Sequence, residues 1–159
     1  MSSPPRPDPA IYFKMRSNAL QSPLPSSPND SVNIVLMDWH VNNGTASVLA
    51  AADGTASIYL STGGGFIGAG QKSTTVRNLA LQVVQLARTL APHCYATESI
   101  DLPPKGEVFF YLRNATGLSL GIATDAAMSA GTDPLTALGV AMQKIVSAYR
   151  VISAQQKPK

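Results

Sequence analysis

Two polar side chains, Asp38 and His40, lie within the stretch Asn33–Val41, which is nearly continuous in apolar character. Because side chains alternate along a strand, both would point to the same face, where a carboxylate can orient an imidazole as a general base. Cys94, beside His93, is the one cysteine in the chain and the thiol that such a base would activate. No spacing in the sequence brings these groups together, so an enzyme using Asp38 and His40 is our third functional hypothesis. Two histidines and one cysteine also form no metal-ligand spacing. We predict no catalytic site, no metal site and no cofactor.

A glycine-rich loop, Gly63–Ser73, is the second stretch with chemical potential. It contains G-x-G-x-x-G at Gly63, Gly65 and Gly68, a spacing typical of pyrophosphate-binding turns. An antiparallel hairpin precedes this motif, however, and no acidic residue follows it before Glu98, whereas a dinucleotide site needs a parallel unit and an acidic partner. A Walker A loop is disfavoured as well, because one extra residue moves the lysine out of register with the phosphates. The sequence therefore argues against a nucleotide site.

The same loop can hold a simple anion, because the N–H groups and the dipole at a helix N-terminus attract negative charge. The predicted anion-binding residues are Gly68, Gly70, Lys72, Ser73 and Thr74. The alternative is structural, since glycines let a chain turn sharply and pass close to a neighbouring backbone. We favour the structural interpretation and keep a small-ligand binder as the second functional hypothesis.

Length and charge favour one soluble domain without a nucleic-acid partner. The chain has 159 residues, 45% of them apolar, which suits one core. Its net charge of +3 comes entirely from the two ends of the chain, because residues 31–152 hold seven basic and seven acidic side chains. Nucleic-acid binding needs a dense basic face, which is not expected here. No apolar run reaches the about 20 residues that span a bilayer, and no secretory leader is evident. We therefore expect a cytoplasmic protein that does not bind membranes.

Prolines and serines dominate residues 1–30, which we interpret as tail and linker around one short helix at 10–20. Tyr12, Met15, Arg16 and Ala19 would share a face of this helix. We expect the helix to lie on the domain as a clamp. A segment that recruits a partner, or a proline-rich docking ligand, is the alternative.

Three strands and a helix follow. Asn33–Val41, Thr45–Ala52 and Thr55–Ser61 have the patterns of a strand meander, in which Asp53-Gly54 predicts a tight type I′ turn. Ser73–Ala91 has apolar residues at helical spacing, with Ser73 as its N-cap.

A second hairpin and a last helix complete the chain. The strands are Glu107–Arg113 and Leu118–Asp125, and Asp133 caps a helix that has Pro134 at its first position. This order predicts an α+β class with two layers: a single antiparallel sheet of about five strands with helices mainly on one face. Residues 31–152 would form this single domain, and 153–159 a polar tail.

The strand Glu107–Arg113 carries large apolar side chains on both faces, so something must cover the second face of the sheet. We expect both the N-terminal segment and a second copy of the protein to contribute. The predicted interaction surface consists of Phe109, Tyr111, Tyr12 and Phe13. Our first functional hypothesis is therefore a non-enzymatic protein-interaction or scaffold domain that forms a homodimer.

Two resemblances agree with this fold. The element order resembles the profilin-like folds, especially roadblock-type and longin-type domains, which scaffold small GTPases and assemble as dimers. The stretch TASVLAAADGTASIYLSTGGGFIGAG, with Val76-Arg77 and the upstream YFKMRSNAL, is similar to a family of small bacterial proteins that share an ADGT-type hairpin and an STGGG-type loop. That similarity runs from Tyr12 to about Ile152, but Gln71-Lys72-Ser73 replaces the acidic-histidine stretch of the family. No function is established for the family, so the resemblance implies a fold and carries over no site residue.

Overall fold

The computed structural model describes residues 9–21, 32–41, 44–62, 65–67 and 73–156. Within these ranges the chain forms four α-helices and seven β-strands, with a short 3-10 turn at Ala91–His93. In chain order the elements are α1 (Pro9–Gln21), β1 (Ile34–Val41), β2 (Gly44–Ala51), β3 (Ala56–Leu60), β4 (Gly65–Ile67), α2 (Thr74–Leu90), β5 (Tyr95–Thr97), β6 (Glu107–Arg113), β7 (Leu118–Thr124), α3 (Asp125–Ala130) and α4 (Thr136–Gln156).

The strands form one open antiparallel sheet in the order β4-β3-β2-β1-β6-β7-β5. The predicted α+β class with a single antiparallel sheet is confirmed, and the five longer strands are those that the sequence predicted. The two others, β4 and β5, have three residues each. Strands this short leave no period-two pattern, which is why the sequence did not reveal them. The last helix continues through Gln156 and so includes the first residues of the predicted tail.

One face of the sheet is covered by α2 and α4, which pack against each other and enclose the larger core. The predicted helical spacing of α2 is confirmed, because its buried residues are Val76, Ala80, Val83, Val84 and Ala87. The predicted N-cap is confirmed too, since the backbone N–H of Val76 donates to Ser73 Oγ at 3.2 Å. The sequence therefore determines how this helix begins and which side of it is buried.

The opposite face is covered in part by α1 and by the loop 98–104. Tyr12 and Leu20 of α1 pack with Leu36 of β1 and Tyr111 of β6 in a second buried cluster, to which the loop adds Ile100 and Leu102. A helix of 13 residues is marginal in isolation, so its contacts with the sheet stabilise it. The N-terminal helix thus supplies the cover that the apolar second face of β6 requires.

The hairpin between β2 and β3 differs from the prediction. A type I′ turn needs a positive φ at both of its central residues. Gly54 has a φ of 90°, but no described non-glycine residue, Asp53 included, has a positive φ. The N–H of Gly54 donates to Ala51 O at 3.0 Å, and the N–H of Ala51 donates to Thr55 O at 2.8 Å. The predicted type I′ turn is therefore wrong, and the hairpin closes with a three-residue loop that ends in a left-handed glycine.

Two polar side chains shape the turns of the C-terminal half. Asn114 Oδ1 accepts from the backbone N–H groups of Thr116 at 3.0 Å and Gly117 at 2.8 Å, which closes the predicted β6–β7 hairpin. Asp133 Oδ1 accepts from the N–H of Leu135 at 2.8 Å. Asp133 therefore caps the turn that leads into α4, but the helix begins at Thr136 and not at the predicted proline.

Candidate functional site

A buried polar cluster surrounds Asp38 on the α1 face of the sheet. Arg16 donates to Asp38 Oδ2 from Nη2 at 2.6 Å and from Nε at 3.1 Å. Ser47, directly opposite on β2, donates its hydroxyl to Asp38 Oδ1. The Tyr12 hydroxyl lies 2.7 Å from Ser47 Oγ, and since the Ser47 proton is directed at Asp38, Tyr12 is the donor of this pair. Both oxygens of a fully buried carboxylate are thus engaged.

Burial and charge set the protonation of this cluster. Burial raises the pKa of Asp38, and the hydrogen bonds from Arg16 and Ser47 oppose that rise. Burial would lower the pKa of Arg16, but the hydrogen bond to Asp38 and its negative charge outweigh this, so the pKa of Arg16 is raised. Burial, together with the Asp38 charge, raises the pKa of Tyr12 to about 12. At neutral pH the guanidinium is therefore charged and the phenol keeps its proton.

Arg16 also connects the sheet to the loop 98–104. Its Nη1 donates to Ile100 O, and its Nη2 donates to Asp101 O at 3.1 Å. The guanidinium lies over the ring of Tyr111, 5.4 Å from the ring centroid, and the Tyr111 hydroxyl donates to the same Asp101 carbonyl. One buried side chain therefore holds α1, β1 and the loop together, which is a structural role.

The structure does not assemble the groups of the enzyme hypothesis. The engaged carboxylate of Asp38 makes no hydrogen bond to His40, whose Nε2 donates to Pro103 O at 2.8 Å. Cys94 packs against the core on the other face of the sheet. Burial raises the pKa of the Cys94 thiol, which keeps it protonated and weakly nucleophilic. Asp38, His40 and Cys94 therefore do not form a catalytic set of nucleophile, general base and orienting group.

The predicted anion site falls mostly outside the described residues, because Gly68, Gly70 and Lys72 are not among them. Ser73 and Thr74 are described. Ser73 Oγ already accepts the Val76 N–H as the helix cap, and Thr74 is the first residue of α2. Binding of an anion at this loop stays a prediction.

Three of the four predicted interaction residues are buried within the fold of this chain. Tyr12, Phe109 and Tyr111 are buried in the cluster beneath α1, because this helix packs against the apolar side chains of β6. Phe13 is the exception: it stacks edge-on against Tyr12, and 49% of its surface is exposed. The predicted surface is therefore largely an internal contact between α1 and the sheet.

A different apolar pair is exposed on the same face, near the edge of the sheet. Tyr95 pairs with Leu120, and Ile122 lies two residues further along β7, so both side chains point to the α1 face. Tyr95 is 54% exposed and Ile122 is 40% exposed. Neither α1 nor the loop 98–104 buries them. We call Tyr95 and Ile122 the sheet-end patch.

The chain matches no family model, no curated protein and no solved structure. None of the helices in the described ranges is long and apolar enough to cross a membrane. No three metal-binding side chains (His, Cys, Asp or Glu) of the described residues come together as a metal ion requires.

The sequence does not reveal that Arg16 and Asp38 form a pair, although the position of each residue indicates that its charge is buried. Arg16 lies on the apolar side of α1, and Asp38 interrupts a strand that is otherwise apolar. A charged residue in such a place needs a partner, since an unpaired charge is seldom buried. The two signals lie 22 residues apart in sequence, and only the packing of α1 on β1 shows that they belong together.

Proposed function

We propose that this chain is a non-enzymatic interaction domain that associates with a second copy of itself through the sheet-end patch. The observation that carries the proposal is the exposure of Tyr95 and Ile122 on one face of the sheet, on the neighbouring strands β5 and β7. Transfer of aromatic and branched apolar side chains out of water lowers the free energy. A contact with another protein surface provides such an apolar environment.

The position of the patch favours a second copy as the partner. β5 is the last strand of the sheet, and its outer edge pairs with no other strand in the described part of the chain. An edge strand offers N–H and C=O groups to another strand. Antiparallel pairing of two identical edges creates a two-fold axis, so that one contact closes into a dimer. The patch would then be buried on both copies at once.

The engagement of the reactive groups supports a non-enzymatic role. Asp38 is held by Arg16 and Ser47, and His40 donates to a backbone carbonyl. The likeness to roadblock-type domains, which assemble as dimers, remains part of the same proposal. The similarity to small bacterial proteins with an ADGT-type hairpin also remains a proposal.

Sedimentation equilibrium tests the dimer. We expect the wild-type chain to sediment as a dimer at high micromolar concentration, and the double variant Tyr95→Thr/Ile122→Thr to sediment as a monomer with unchanged circular dichroism. Val151→Thr is the matched control, because Val151 on α4 is equally exposed and lies outside the patch. A strictly monomeric wild-type chain, or a double variant that dimerises like the control, would contradict the proposal.

A further inference from the structure

A groove of about 520 Å³ lies between α4, α3 and the sheet. It forms where two central strands separate, because β1 and β6 stop pairing after Asp38 and Phe109. Trp39 and Val108, the next residue on each strand, line the groove together with Met37. The inner wall is thus made of large apolar side chains. A volume of this size is within the range of sites that hold small organic molecules, about 300 to 1,000 Å³.

The other walls come from the two C-terminal helices. Thr136, Val140 and Lys144 recur every four residues on one side of α4 and line the groove. Met128 of α3 forms the wall beside them. At Gly139, a Cβ would lie 2.0 Å from Met128 Cε, so the absence of a side chain there leaves space for the end of the Met128 side chain.

Thr136, one of the residues that line the groove, carries a buried polar atom without a hydrogen-bond partner. Thr136 Oγ1 is buried and makes no hydrogen bond. Among the side chains that the structure describes, no other buried nitrogen or oxygen lacks a hydrogen-bond partner. A buried hydroxyl left without a partner destabilises a protein by about 1 to 3 kcal/mol. A bound molecule that hydrogen-bonds to this hydroxyl would relieve that penalty. A ligand of this groove should therefore carry a polar group that can form a hydrogen bond with the Thr136 hydroxyl.

The charges around the groove define the class of ligand. Asp125 and Lys144 line it from opposite helices, and both side chains are exposed. The two side chains form no ion pair or hydrogen bond, with each other or with any described residue. Their charges are opposite in sign, so neither an anion nor a cation is favoured overall, while the inner wall is apolar. Burying an ion against such a wall is costly, whereas burying a neutral apolar body is favourable.

From this geometry we infer that the groove binds a neutral, mostly apolar small molecule with one hydroxyl-like group that hydrogen-bonds to Thr136. The site is independent of the proposed dimer. Met37 and Val108 belong to the core on the α2 and α4 side, whereas Tyr95 and Ile122 lie on the opposite face of the sheet.

Trp39 provides a direct readout, because it is the only tryptophan in the chain and it lines the groove. The probe is 1-adamantanol, and its charged relatives 1-adamantanecarboxylate and 1-adamantylammonium are the comparison ligands. We expect a saturable change in Trp39 fluorescence with the alcohol and binding at least about tenfold weaker for both ions. No saturable change, or equal or tighter binding of either ion, would overturn the inference.

Four variants locate the bound alcohol. Thr136→Val removes the hydroxyl at nearly constant volume and should weaken binding about fivefold, whereas Thr136→Ser keeps the hydroxyl and should bind like the wild type. Val140→Phe fills the groove and should abolish binding. Val151→Phe adds the same ring at an equally exposed position of α4 outside the groove and should leave binding unchanged. Unchanged affinity in Thr136→Val or in Val140→Phe would show that the alcohol binds elsewhere.

Discussion

Arg16 Nη2 lies 2.6 Å from Asp38 Oδ2, and neither side chain is open to solvent. Because Arg16 also donates to two carbonyls of the loop 98–104, this ion pair fixes the place where α1 crosses the sheet. A buried ion pair adds little net stability, since two charges must leave water to form it. Its removal is nevertheless severe when one charge remains behind. We infer that the pair determines the position of α1.

Arg16→Met should destabilise the protein by about 3 to 5 kcal/mol, because it leaves the Asp38 carboxylate buried without its partner. Urea unfolding measures this loss. Arg150→Met removes an exposed arginine from α4 and should change stability by less than about 0.5 kcal/mol. In Arg16→Met/Asp38→Asn the loss should be smaller than the sum of the single changes. A loss for Arg16→Met no larger than that for Arg150→Met would contradict the structural role of the pair.

Alkaline pH should weaken the fold through Tyr12 and Tyr111. Burial, as the largest cause, raises the pKa of both from 10.0 to about 12. A raised pKa in the folded state means that the unfolded chain loses its phenol protons first. The two protonated phenols therefore contribute stability that is fully present below about pH 10 and is lost as the pH rises through about 12. A tenfold difference in proton affinity between the folded and the unfolded chain amounts to about 1.4 kcal/mol.

Urea unfolding at successive pH values, together with the ultraviolet absorbance of phenolate, measures this effect. Tyr12→Phe should reduce the slope of stability against pH, because it removes one of the phenols whose pKa is raised in the folded chain. Tyr95→Phe, measured at a protein concentration low enough to keep the chain monomeric, is the control at an exposed position and should leave the slope as it is. The prediction is refuted if wild-type stability is constant across this range.

Ser73→Ala should destabilise the protein by about 0.5 to 2 kcal/mol, because the N–H of Val76 loses the side chain that caps it. Ser73→Asp keeps an acceptor and should retain most of the stability. Thr75→Ala changes an exposed hydroxyl in the same turn and should be nearly neutral. Thermal unfolding of the three variants checks the cap, and an equal effect of Ser73→Ala and Thr75→Ala would argue against it.

Gly54→Ala should cost about 1 to 2 kcal/mol, because a residue with a side chain is strained at a φ of 90°. The new Cβ would also lie 2.6 Å from Cγ of Arg77, which would have to move. Gly117→Ala is the matched control in the other hairpin, where φ is not positive and no atom lies within 4 Å of the added Cβ. That variant should be neutral or slightly stabilising. Equal losses of stability in urea for both variants would count against the strained turn.

Much of the fold follows from local patterns. The spacing of apolar residues in α2, the cap at Ser73 and the apolar patterns of the five longer strands are visible without any structure. The predicted type I′ turn at Asp53 is wrong, because the dipeptide Asp-Gly suits both a two-residue and a three-residue loop. The strand register decides between them: Ala50 pairs with Ala56, which leaves room for the longer loop.

The sequence by itself determined the class of the fold, the helix faces and the need for a cover on the second face of the sheet. Those features depend on neighbours within a few residues, where helix and strand periodicity act. Only the tertiary structure decided that Arg16 meets Asp38, that Tyr12 is internal and Tyr95 exposed, and that Thr136 lines a groove. These relationships join residues from separate elements. They depend on how whole helices and strands pack, because burial and pairing of a side chain are set by what the rest of the chain places beside it.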